Sequence, residues 1–163
     1  MNIIIAILIL LVYTVILCIK GGGIPSSLSA SVFNLPYNKR WIWTVVLYAV
    51  CLLCIPTIIE KSSANTQFLA FIAIAALAFV GAAPLVKDKE DLAYKVHCGA
   101  AVLCAVCSQL LLVFNQPLMV ALWIPWVFCF VDLLFGKQLS TWTTKIFWAE
   151  VVCFSSTFIY CLI

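Results

Sequence analysis

Apolar residues run along this chain in long, nearly uninterrupted blocks, and polar residues gather in short gaps between them. Six blocks emerge: about Asn2–Ile19, Trp41–Ile59, Phe68–Leu85, Leu92–Phe114, Pro117–Phe135 and Thr141–Ile163. Each holds roughly 18 to 23 residues, enough for a helix to cross about 30 Å of hydrocarbon. Barrel strands would be shorter and would alternate in polarity. The pattern therefore predicts an all-α, polytopic membrane protein: one compact bundle of six transmembrane helices, forming a single domain over residues 1–163.

The gaps carry their own signals. Lys20 followed by Gly21, Gly22 and Gly23 places a cation in the last turn of the first helix and glycine just beyond it, the usual C-terminal stop. The N-terminal block lacks a basic leader and a small-residue cleavage site, so it is expected to stay as the first helix. Pro56, Pro84 and Pro125 fall within or at the ends of helices, which membrane bundles tolerate where neighbours satisfy the freed backbone groups. Trp41, Trp43, Trp142 and Tyr160 sit near helix ends, where aromatic belts form.

Composition agrees. The chain is 66% hydrophobic and 9% charged, against about 25% charged for a soluble domain. A globule of 163 residues buries only about 70% of its chain surface, so lipid must cover the remaining apolar area. No basic stripe exists outside the gaps, which excludes a nucleic-acid partner. Membrane lipid is the expected partner, together with another membrane protein or a second copy.

Charge sets orientation. Eight of the nine basic residues lie in alternate gaps or beside them: Lys20, Lys39 and Arg40, then Lys87, Lys89 and Lys95, then Lys137 and Lys145, with Lys61 alone on the other side. The positive-inside rule puts that majority in the cytoplasm and both termini outside, in a plasma or inner membrane. The run Lys87–Asp91 reads as a solvated turn.

Small residues concentrate in the third block (Ala70, Ala73, Ala76, Gly81) and the fourth (Gly99, Ala100, Ala101, Ala105). They let helix backbones approach closely, so these two helices are expected to pack centrally. Phe33-Asn34-Leu35-Pro36 is echoed by Phe114-Asn115-Gln116-Pro117, and a three-plus-three inverted repeat would place the two on opposite faces.

The candidate chemistry is sparse. Glu150 lies about nine residues into the last helix, roughly 13 Å below the membrane boundary at 1.5 Å per residue. An acid at that depth faces a bundle interior or a water cavity. Two readings compete: a site for an ion or a polar ligand, and a hydrogen-bonded acid that fixes helix packing. Thr143, Cys153, Thr157 and Tyr160 share its helical face. His97 and Asp132 lie near the same end of their helices. They either line one cytoplasm-facing cavity with Glu150, His97 being able to change charge near neutral pH, or reach the interface beside Lys95 and Lys137. One histidine and two separated acids do not make a zinc site, and no cofactor is expected.

The segment 20–40 is the most unusual stretch. Pro25 can open a short interfacial or re-entrant helix with Leu28, Val32 and Leu35 on one face and Ser27 and Ser31 on another. It would either bind a lipid phosphate, helped by Lys20, Lys39 and Arg40, or act as a lid over the bundle.

All nine cysteines fall within apolar blocks, unlike a secreted disulfide framework. Cys51-x-x-Cys54 and Cys104-x-x-Cys107 lie in helix interiors. Reactive pairs sit instead at helix N-termini, where the dipole favours the thiolate. They read as packing residues, with thiol chemistry as the alternative. Nothing marks a nucleophile elbow.

Two stretches, Ile24-Pro25-Ser26-Ser27-Leu28-Ser29-Ala30 and Phe79–Pro84 followed by Lys95-Val96-His97, resemble small uncharacterised multi-helix membrane proteins of bacteria and their phages. The resemblance covers about a sixth of the chain. It implies no activity and only draws attention to Ser26–Ser31 and to His97. The functional expectation is a cytoplasm-facing polar cavity that binds or passes a small polar ligand, an ion or a lipid headgroup, lined by Glu150, His97 and Asp132 with Ser27 and Ser31 at its mouth. The alternatives are a non-catalytic interaction or structural protein, and an intramembrane enzyme acting on lipid or thiols.

Overall fold

The structure is a computed structural model that describes residues 2–81, 92–127 and 144–163. Every regular element among them is helical. In chain order these are α1 (Asn2–Gly21), α2 (Trp41–Lys61), α3 (Gln67–Val80), α4 (Leu92–Asn115) and α5 (Lys145–Leu162), with 3-10 segments at Ser29–Asn34, Tyr37–Lys39 and Pro117–Trp123. Four stretches are long and apolar enough to cross a membrane: Asn2–Gly21, Tyr37–Lys61, Leu92–Asn115 and Lys145–Leu162. α3 has 14 residues, about 21 Å at 1.5 Å per residue. The Pro117–Trp123 segment continues as helix only to Val127 within the described residues.

Each helix buries one stripe and shows the rest to its surroundings. On α1 the stripe is Ile3, Ala6, Leu10, Tyr13 and Leu17, at spacings of three and four, while Ile4, Leu8, Leu11, Val15 and Ile19 are exposed. Large aliphatic side chains facing outward in such numbers suit a lipid solvent. α1 packs on α2, α2 on α3, α3 on α4, and α4 on α5, which also meets α1 and α2. The tightest pair is α3 with α4, where Ala70, Ala73 and Ala76 are buried.

The ends are closed by specific bonds. At the end of α1 the Gly23 amide donates to the Cys18 carbonyl and the Gly22 amide to the Ile19 carbonyl, with Gly22 at φ 70°. This is a Schellman stop, and it needs the left-handed conformation that glycine adopts without penalty. Asn34 Nδ2 donates to the Leu17 carbonyl at 3.1 Å, sitting so close to Gly21 that a Cβ there would meet it.

At the opposite end of the bundle, Asn115 Nδ2 donates to Leu111 O and Thr66 Oγ1, while its Oδ1 accepts from the Ser63 amide. The Tyr160 hydroxyl donates to the Lys61 carbonyl at 2.8 Å. The two asparagines of the Phe-Asn echo thus tie down helix termini at opposite ends.

Between these ends, Gln109 Oε1 accepts from Trp123 Nε1 at 2.9 Å and from Ser156 Oγ at 3.2 Å. That pair of bonds joins α4, α5 and the Pro117–Trp123 segment through the interior.

The close α3–α4 approach makes Ala76, which is buried and stands outside the cavity wall, intolerant of added volume. Ala76→Leu should lower stability by about 1–3 kcal/mol, whereas Ala75→Leu on the exposed face of α3 should leave it unchanged. Thermal unfolding of both variants in detergent checks this.

Candidate functional site

The first gap is not a loop over the bundle but a segment folded into it. Leu28, Ser29, Ser31, Val32 and Leu35 are buried, and Leu28, Val32 and Leu35 join one apolar cluster with Leu17, Trp43, Leu47, Val80 and Phe147. The Ser29–Asn34 turn is 3-10, so its first-turn amides need local acceptors. Ser27 Oγ takes the Ala30 amide at 2.9 Å, and Ser31 Oγ donates to the Leu28 carbonyl. On the outer side the Arg40 guanidinium lies 4.9 Å from the Phe33 ring centroid and 5.5 Å from that of Tyr37.

α5 grips this segment at two points. The Phe147 amide, one of the first-turn donors that a helix cannot satisfy itself, donates to the Ser26 carbonyl at 3.1 Å. One turn further on, Glu150 Oε2 accepts the Leu28 amide at 2.5 Å. The acid that stands out in the sequence is therefore bound to backbone.

α4 grips the next residue. His97 Nε2 lies 3.0 Å from Ser29 Oγ, and Nδ1 lies 3.0 Å from the Val80 carbonyl oxygen. A carbonyl only accepts, so Nδ1 carries a proton. In the neutral ring Nε2 is then an acceptor, and Ser29 donates to it. Ser29 Oγ is thereby left to accept from Ser27 Oγ, 3.1 Å away. The chain of donors runs in one direction, from the Ala30 amide through Ser27 and Ser29 to His97.

Val80 O also takes the Trp43 indole N–H at 3.3 Å, and Thr44 Oγ1 donates to Gly81 O at 2.8 Å. Both lone pairs of the Val80 carbonyl are thus engaged, and the histidine ring is fixed from behind.

Under this polar cluster lies a cavity of about 150 Å³. Leu28, Ser29 and Glu150 line one end; Ile58, Leu111 and Phe158 line the other. On α2 the wall runs from Trp43 to Ile58, about 22 Å of helix. Apart from Ser29, Glu150, Ser108 and Thr157, its wall is aliphatic, aromatic or cysteine. Cys51, Cys54, Cys104 and Cys153 all contribute, and every described cysteine is a free thiol. Among the described residues no group of three or more His, Cys, Asp or Glu comes together as a metal site.

The expected site residues therefore separate. Glu150 and His97 are brought to adjacent residues of one segment, Leu28 and Ser29, but of the two only Glu150 lines the cavity. Ser27 joins them through Ser29. Ser31 is buried, spends its hydroxyl on the Leu28 carbonyl and does not line the cavity. Asp132 and Thr143 lie outside the described residues.

Ser29 was missed by sequence reasoning. A helix begun at Pro25 puts Ser27 and Ser31 on one face, but the regular turn begins at Ser29 and is 3-10, which changes which serine lines the cavity. No family model, curated protein or solved structure matches the chain.

The Glu150–Leu28 bond is expected to hold the segment closed. A hydrogen bond of this kind is worth about 1–3 kcal/mol. Glu150→Ala should therefore speed hydrogen exchange at the Leu28–Ser31 amides roughly five- to 150-fold, and Glu150→Gln, which keeps an acceptor oxygen, should fall between. Exchange in nanodiscs followed by mass spectrometry reads this. Unchanged protection in Glu150→Ala would show that the bond does not hold the segment.

Proposed function

We propose that this protein is a polytopic membrane protein that holds an amphipathic lipid, with an alkyl chain in the central cavity and the polar group at the end lined by Ser29 and Glu150. The observation that carries this is continuity: one cavity has an apolar wall along most of its length and the Ser29 hydroxyl and Glu150 carboxyl at one end. An ion path would need polar groups at intervals along its length, and below the polar cluster the wall offers only Ser108 and Thr157. Of the ligands the sequence allows, a lipid suits both halves of this wall. A membrane supplies such molecules at high local concentration, and an elongated apolar void gains dispersion contacts when an alkyl chain fills it.

The same reading gives an orientation. Lys20, Lys39, Arg40, Lys95 and Lys145 lie in elements that begin or end at the Ser29 end of the bundle, whereas Lys61 lies at the other. This distribution supports a cytoplasmic position for the Ser29 end. With α3 and the Pro117–Trp123 region as two further crossings, the chain passes six times and both termini lie outside the cytoplasm. The membrane is then the plasma or inner membrane.

A photoreactive fatty-acyl phospholipid in nanodiscs tests the binding reading. Crosslinks are expected on the cavity-lining faces of α2 and α4, reduced about tenfold (about 1.4 kcal/mol of binding) in Ala105→Phe, which fills the cavity. The exposed control Ala75→Phe should crosslink like the wild type. Crosslinks confined to outward residues such as Leu8 and Val102, and insensitive to Ala105→Phe, would sink it.

A further inference from the structure

A tether between a loop and a helix needs only one hydrogen bond, yet the bond at Ser29 has a direction and a setting that a tether does not require. The Val80 carbonyl fixes the proton of His97 on Nδ1, which aims the basic lone pair of Nε2 at Ser29 Oγ from 3.0 Å. That is the distance and the tautomer in which an imidazole activates a hydroxyl nucleophile, with a third group orienting the base. Here the third group is a backbone carbonyl, itself held by the Trp43 indole. Ser29 also lines the cavity, so a lipid whose chain occupies the cavity brings its ester linkage to the hydroxyl.

We propose that Ser29 and His97 form a nucleophile–base dyad that cleaves the acyl ester of a membrane lipid, using water as the second substrate. The proposal rests on the lipid-binding reading for the place of the substrate. As Ser29 Oγ bonds to the acyl carbon, its proton passes to His97 Nε2. When the ester C–O bond breaks, the imidazolium returns that proton to the departing alcohol oxygen, leaving the acyl group on Ser29. Water then attacks the acyl-serine, giving its proton to His97. Departure of Ser29 Oγ, reprotonated by the ring, releases a fatty acid and restores the dyad.

Glu150 is a positioning residue in this scheme. It holds the Leu28 amide, the residue immediately before the nucleophile. Ser27, whose hydroxyl contacts Ser29 Oγ at 3.1 Å, keeps the Ser29 proton directed at the ring.

The test uses the full chain in nanodiscs and a long-chain alkyl fluorophosphonate, which traps a serine activated in this way by displacement of fluoride. The expected result is one adduct, on Ser29, found by mass spectrometry of the digested protein. Ser29→Ala should abolish it and His97→Gln should slow it at least about a hundredfold. In the wild type, labelling should need the neutral ring, rising with pH as the imidazolium loses its proton and then levelling. This pH profile does not depend on any variant folding.

No adduct at Ser29, adduction of Ser27 or Ser31 instead, or a rate independent of pH and of His97 would each overturn the dyad. Acyl-lipid crosslinking in the cavity without a Ser29 adduct would overturn the dyad and leave lipid binding standing. Loss of both would remove the two together.

Discussion

The Val80 carbonyl oxygen is the joint on which the site is built. It lies at the end of α3, and the residue four positions on, where a helical donor would come from, is Pro84, which has no N–H to give. In apolar surroundings an unsatisfied carbonyl costs free energy comparable to a lost hydrogen bond. Two side chains from different helices answer it: the Trp43 indole from α2 and the His97 ring from α4. Because the oxygen can only accept, the same contact that closes α3 decides which nitrogen of His97 is basic. Ser29 is then held by that nitrogen, and the segment that carries Ser29 is held by α5 through Phe147 and Glu150. Remove the Val80 interaction and the ring loses its register with everything on its far side.

The cavity follows from how the small residues are spent. Ala76 is buried where α3 lies close to α4, but Ala70, Ala73, Ala101 and Ala105 line the void. Short side chains that draw two backbones together cannot also reach across to α2 and α5. A packed soluble core would fill that space with a larger residue, since a void costs contacts on every lining atom. In a membrane the missing atoms are available from the solvent itself.

Much of this architecture was legible in the sequence, for identifiable reasons. The apolar blocks gave the helices because no other regular structure but a closed barrel satisfies its own backbone in lipid. The glycine run after Lys20 gave the end of α1, and Gly22 takes the left-handed conformation such a stop requires. Glu150 stood out as an acid in an apolar helix, and it lies at the cluster. What was not legible depended on contacts between residues far apart in the chain. The partner of His97 is a serine 68 positions away and a backbone carbonyl, and neither leaves a pattern in the sequence. The choice of Ser29 over Ser31 turned on a 3-10 rather than an α-helical turn, a difference that the period of five residues cannot decide. The cavity left no mark because it is a matter of volume not filled.

The two ends of the bundle differ in how they are shut, and this gives the molecule a mechanical polarity. At the Asn115 end, side chains rooted in α4 and α5 bond to the link between α2 and α3, so opening there strains the helices themselves. At the Ser29 end, among the described residues, the closure is a short segment between α1 and α2, fastened to α4 and α5 through Ser26, Leu28 and Ser29. Partial unfolding concentrates in the elements with the fewest cooperative contacts. Among the described residues, detaching the segment 22–36 opens one end without displacing a helix, so access to the interior answers to a local free energy instead of the global stability of the fold.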